Sequence, residues 1–139
     1  MRQGRGVVAL VAVCLVAVAA CSSGGSGPPK TLSLSGEQVP VSQVTTAYTQ
    51  MCGIATQAQS NPAAAVAPFA NVEGGLNVLA TVLNKDHAQA SQRLLAALTS
   101  FTADLGQKPP PASTAADATN LLGTAKQGLQ ALNITSPAC

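Results

Sequence analysis

Val72, Leu76, Leu79, Leu83, His87, Ala90, Leu94, Leu98, Phe101 and Leu105 follow one another at steps of three and four residues. That spacing is the period of one helix face, so the middle of the chain must be an amphipathic helix and cannot be a half-buried strand. The unbroken phase favours a single long helix over residues 69–106, with room for a kink near Asn84. Only Gly74-Gly75 and Asn84-Lys85-Asp86 interrupt it, and Asp86 as the cap of a second helix is the alternative. Gly106 and the three prolines 109–111 end the stretch.

Two further helices flank it. After Pro40, the recurrence of Val44, Tyr48, Met51, Cys52 and Ala55 predicts a helix over residues 41–59 with Cys52 on its apolar face. Asn61-Pro62 stops that helix, and the alanine-rich run to Pro68 reads as a loop or a single turn. Ser113 is placed to cap a last helix whose inward positions are Ala118, Leu121, Leu122, Ala125, Leu129 and Leu132, until Asn133 and Pro137 release the tail. Tyr48, Phe69 and Phe101 are the only aromatic residues, so alanine, leucine and valine must fill the core. Leu32 and Leu34 alternate like a strand, but no second strand stands out to pair with them, so residues 30–40 read as an extended lead-in. The expected fold is all-α: an antiparallel bundle of three helices over residues 41–139, with a four-helix variant as the alternative. A helix of about 34 residues would be about 50 Å long, against about 30 Å for the last one, so the middle helix would have to overhang or bend.

The N-terminus carries an address. Arg2 and Arg5 precede an uncharged apolar run from residue 6 to residue 20, the pattern of a secretory signal and too short for a spanning helix. The junction Val18-Ala19-Ala20-Cys21 resembles the lipobox of bacterial lipoproteins, in which small residues precede an obligatory cysteine; Val18 stands where leucine is usual. The resemblance implies removal of residues 1–20 and attachment of diacylglycerol to the Cys21 thiol, so that the membrane becomes a partner through that anchor on its extracytoplasmic face. Residues 22–29 are rich in Ser, Gly and Pro, the composition of a flexible tether, and residues 21–40 together are expected to link lipid to domain.

Processing changes the charge account. The full chain carries a formal +2. Without Arg2 and Arg5 the cations Lys30, Lys85, Arg93, Lys108 and Lys126 balance Glu37, Glu73, Asp86, Asp104 and Asp117. No basic stripe and no aromatic stacking platform remain, which argues against nucleic acid as a partner. Of the cysteines, Cys14 leaves with the signal and Cys21 takes the lipid, so Cys52 and Cys139 remain to form a disulfide in an oxidising compartment. In a three-helix arrangement the end of the last helix lies beside Cys52; a four-helix one needs the tail after Asn133 to run back.

Residues able to do chemistry are few and scattered. His87, the lone histidine, lies on the apolar stripe beside Asp86, where a boundary role is expected; haem ligation with Met51 or Tyr48 is a remote alternative. No serine sits in Gly-x-Ser-x-Gly, and a triad would need His87 as its base. Asp86 and Asp104 are five helical turns apart on one continuous helix, which gives no paired-carboxylate site. Gly74-Gly75 lacks the Lys and Ser/Thr of a phosphate loop and reads as a flexible or close-packed point in a helix. Asn133-Ile134-Thr135 matches a glycosylation sequon by chance, given a bacterial address. No metal, cofactor or catalytic residue is expected.

The layout, with Cys52-Gly53 in the first helix, Pro109-Pro110-Pro111 before the last and a terminal Pro137-Ala138-Cys139, resembles small alanine-rich secreted proteins and lipoproteins of actinomycetes, a group that implies no particular activity. The functional expectation is a non-enzymatic cell-envelope lipoprotein that binds another protein through an exposed face of the long helix. The alternative is a small carrier or sensor that admits an apolar ligand, such as a lipid, between its helices.

Overall fold

The computed structural model describes residues 29–139. The signal, the lipidation site at Cys21 and most of the tether therefore lie outside the described residues.

The described chain opens with a hairpin rather than an extended lead-in. Strand β1 (Thr31–Leu34) pairs antiparallel with β2 (Glu37–Pro40), with Leu32 opposite Val39. Ser35 and Gly36 form the two-residue turn with φ of 49° and 92°, the doubly left-handed geometry that matches the twist of the strands. Leu32 and Val39 are both buried, so one face of this small sheet is part of the core. The N–H of Val41 donates to the carbonyl of Lys30 at 3.0 Å and fixes the hairpin to the helix that follows. Residues 30–40 thus belong to the folded domain. The sheet was hidden because its second strand contains only one inward apolar side chain.

Five helices follow: α1 (Val41–Ser60), the short α2 (Val66–Phe69) after a 3-10 turn at Pro62–Ala65, α3 (Glu73–Asp86), α4 (Ala88–Leu105) and α5 (Thr114–Ala131). The fold is mostly helical, as expected, but the three-helix arrangement does not hold, because the stripe over residues 69–106 is divided. His87 leaves helical geometry at φ −135° and ψ 51°, and the chain folds back on itself. The buried hydroxyl of Ser91 donates to the carbonyl of Ala80 at 2.7 Å, a contact between residues that about 16 Å would separate along one straight helix. Leu76, Leu79 and Leu83 on α3 and Leu94, Leu98 and Phe101 on α4 nevertheless all enter one core. A break one residue long preserves the spacing of the stripe while reversing the chain, so phase alone could not reveal it. The reversal also halves the length of the element, which removes both the overhang and the long exposed helix face expected to receive a partner.

The neighbours of each helix set the directions. Serines and aspartates pair across α4 and α5, Ser100 with Asp117 at 2.5 Å and Ser113 with Asp104 at 2.7 Å, in antiparallel register. Gly75 of α3 meets Ala47 of α1, and Gly128 of α5 meets Leu83 and Leu79 of α3. The segment before α3 runs back along α1, with Pro68 and Asn71 beside Gln57 and Gln50, so α1 and α3 are antiparallel too. The start of α1, the end of α3, the start of α4 and the end of α5 therefore share one end of the bundle, together with the hairpin. At the other end the rings of Phe69 and Phe101 meet edge to face, 4.8 Å apart, and seat α2 on α4.

Candidate functional site

The most constrained constellation is the bridge between the first helix and the C-terminal tail. Cys52 lies on the buried face of α1, and its sulfur is bonded to that of Cys139. The expected pairing is present, on a bundle that should have sent Cys139 to the wrong end. Asn133 resolves the conflict. It takes left-handed geometry at φ 56°, its N–H donates to the carbonyl of Gln130 at 3.0 Å, and the N–H of Ile134 donates to that of Leu129 at 2.9 Å. This is a Schellman stop, and the apolar contact that usually accompanies it is supplied here by Ile134 and Leu129, both in the core. The stop turns the tail back along α1. Seven residues of extended chain cover about 23 Å, and the start of α1 lies about 17 Å from Cys52, so the return fits its length. Asn133 is thus a structural turn residue.

Tyr48 stands one turn before Cys52 and is buried, with its hydroxyl donating to the Cys139 sulfur at 3.6 Å. The phenol hydroxyl finds its partner in the bridge, and both thiols are spent in the S–S bond, so this cluster braces the fold. Among the described residues no group of three His, Cys, Asp or Glu side chains could hold a metal ion.

His87 lies far from that cluster. It is half-buried at the corner between α3 and α4, where its N–H donates to Leu83 at 2.7 Å and its carbonyl accepts from Ser91 at 3.1 Å. Met51 is fully buried in the middle of α1 and Tyr48 faces the disulfide, so the structure does not bring the three remote haem candidates together. Around His87 opens a cleft of about 440 Å³ lined by Asp86, Gln89, Arg93, Thr124 and Gln127. It is a solvent-facing groove between α4 and α5. The hydroxyl on its wall, Thr124, donates to the carbonyl of Leu121 at 2.9 Å.

The other candidates also take structural roles. Asp104 accepts from Ser113 and, at 3.4 Å, from Gln107, while Asp117 accepts from Ser100, so both carboxylates clamp α4 to α5 instead of facing each other over a substrate. Ser113 precedes α5 as expected, but its hydroxyl is directed at Asp104 and makes no cap bond. Of the two adjacent glycines, Gly74 is open to solvent, whereas a Cβ on Gly75 would lie 2.5 Å from that of Ala47. The close-packed reading of that pair holds for Gly75 alone. Ser91, buried and shared between two helices, had no signal in the sequence beyond being a small polar residue just off the stripe.

No protein-family model matches the chain, and no curated protein or solved structure matches it either.

Proposed function

We propose that the chain is a bacterial cell-envelope lipoprotein, anchored by acylated Cys21, whose helical domain binds another envelope protein and performs no catalysis. The junction Val18-Ala19-Ala20-Cys21, preceded by Arg2, Arg5 and an apolar run, carries this reading. A thiol at the junction is what acylation requires, and the small residues before it suit a signal peptidase. The Cys52–Cys139 bridge agrees with it, since such bonds persist where the surroundings are oxidising. The binding role follows from what the domain offers: a filled leucine core, polar groups tied into helix clamps, and Leu95 and Val66 standing out at 44% and 42% exposure on a polar surface. The four described clefts are open grooves with mixed polar and apolar linings and not enclosed cavities, which gives the alternative of an apolar-ligand carrier no specific support.

Mass spectrometry of the protein extracted from membranes tests the anchor: a peptide beginning at Cys21 with a diacylglyceryl mass is expected, and an unmodified residue 21 refutes it. Crosslinking in intact cells from a photoreactive residue at position 95 or 66, followed by identification of the adduct, tests the partner. Recovery of lipid without protein adducts would sink the binding role.

A further inference from the structure

We infer that the hairpin end of the bundle is a docking surface for anionic phospholipid, holding the domain upright on the membrane to which it is tethered; this deepens the lipid-anchored reading and rests on it.

The charges that balance over the whole domain are separated along its axis. Lys30 precedes the hairpin, Lys85 is in the last turn of α3, Arg93 is in the second turn of α4, and Lys126 is five residues from the end of α5. All four are exposed, and the helix directions put all four at one end. At 1.5 Å per residue Lys85, Arg93 and Lys126 each lie within about 8 Å of the end of their own helix, and Lys30 is beside the first residue of α1. Two carboxylates, Glu37 and Asp86, share the region. The rest of the domain holds Lys108 against Glu73, Asp104 and Asp117. Glu73, at the start of α3, is about 18 Å from Lys85, and Asp104 is about 24 Å from the start of α4. An excess of positive charge at one end therefore faces an excess of negative charge toward the other, at a separation that salt does not let cancel.

Two of the three distal carboxylates are committed within the domain. Asp104 and Asp117 are tied to serines across α4 and α5, whereas among the described residues no side-chain hydrogen bond uses a lysine or the arginine. The cations of the hairpin end keep their hydrogen-bonding capacity for something outside the domain.

The chain enters the domain at this same end, since Lys30 is hydrogen-bonded to the first residue of α1. From Cys21 to residue 29 there are eight links, which reach at most about 28 Å when fully extended. An acyl chain on Cys21 would hold the basic end within that distance of the headgroups, while the acidic end stands a helix length further out. A polyanionic surface adjacent to four uncommitted cations is complementary in charge, and each such cation near it strengthens the contact about fivefold. The bundle would then present its α2 end, with Lys108 and the triproline loop, to the space beyond the membrane.

The test uses the mature protein extracted from membranes and reconstituted into vesicles of phosphatidylcholine alone, or of phosphatidylcholine and phosphatidylglycerol in equal parts. Trace acetylation with a sulfonated succinimidyl ester, followed by peptide mass spectrometry, reads each lysine separately. That anionic reagent is excluded about threefold from a surface near −30 mV. Lys85 and Lys126 should react about threefold more slowly on the anionic vesicles than on the neutral ones, with Lys108 unchanged and the contrast lost in high salt. The paired change Lys85→Glu and Lys126→Glu should abolish the same contrast at Lys30. Equal rates on both vesicles, or equal slowing of Lys108, overturns the docking surface. If the peptide mass shows residue 21 unacylated, the anchor fails separately; the same labelling with vesicles added to that protein still decides the surface, contrast supporting it and its absence overturning it.

Discussion

Replacing Gly75 by alanine should destabilise the domain, while the same change at its neighbour Gly74 should stabilise it. Both glycines lie in the first turn of α3, and in a helix alanine is favoured over glycine by up to about 1 kcal/mol. A Cβ on Gly74 meets nothing within 4 Å, so Gly74→Ala gains most of that amount. A Cβ on Gly75 would sit 2.5 Å from the Cβ of Ala47 and 3.4 Å from the carbonyl oxygen of Gln43. Carbon atoms rest about 3.5–4.0 Å apart, so α1 and α3 must separate by roughly 1 Å at their closest point. Overpacking of this kind costs about 1–3 kcal/mol, so against a helix gain of up to about 1 kcal/mol the net is a loss of up to about 2 kcal/mol. At about 4 °C per kcal/mol, a thermal melt followed by far-UV circular dichroism should show Gly74→Ala about 2–4 °C above the parent and Gly75→Ala up to about 8 °C below it. Adding Ala47→Gly to Gly75→Ala removes the clashing atom, so the two changes should couple by at least about 1 kcal/mol in a double-mutant cycle. A Gly75→Ala protein that melts at or above the parent, or a cycle that closes with no coupling, would refute the close approach of α1 and α3.

Three further outcomes follow from the same contacts. Converting Cys52 and Cys139 together to alanine opens a cross-link between residues 87 apart in sequence, and urea unfolding should show a loss of about 4 kcal/mol in the chain-entropy account, with the tail unprotected in amide exchange. Asn133→Ala puts a Cβ-bearing residue without a local hydrogen-bonding side chain at φ 56°, so it should lower stability by about 1 kcal/mol, whereas Asn133→Gly should match or exceed the parent; equal effects would argue against the Schellman stop. Ser91→Ala removes a buried hydroxyl while the Ala80 carbonyl keeps its helical partner, so a loss near 1 kcal/mol is expected by the same assay, and no loss would mean that the hydroxyl does not hold α3 to α4.

Much of the core was legible before any fold was known. Leu76, Leu79, Leu83, Leu94, Leu121 and Leu129 were placed inward by spacing alone, and all are fully buried. Helix α1 begins at the residue expected from Pro40, and the two surviving cysteines pair. What escaped was every feature that depends on a single residue turning the chain. His87 breaks the stripe without shifting it. Ser35-Gly36 makes a hairpin from strands of four residues whose apolar content is too low to announce a sheet. Asn133 reads as the end of a helix, but whether the tail then leaves or returns is set by the core that Ile134 can reach. The same holds for the candidate chemistry: Asp104 and Asp117 look like scattered acids until α4 and α5 lie side by side, and only then do Ser113 and Ser100 become their partners.

Periodicity in the sequence determined which faces are buried, because burial of a leucine stripe is favourable in nearly any arrangement that covers it. It also determined that the domain would be helical and stapled, from composition and the count of available thiols. The tertiary structure alone decided how many times the chain reverses, where its two ends meet and which charges share an end. Those are properties of how helices stack in space, and a one-residue change of backbone direction at His87, Ser35-Gly36 or Asn133 alters them while leaving the pattern of apolar residues untouched.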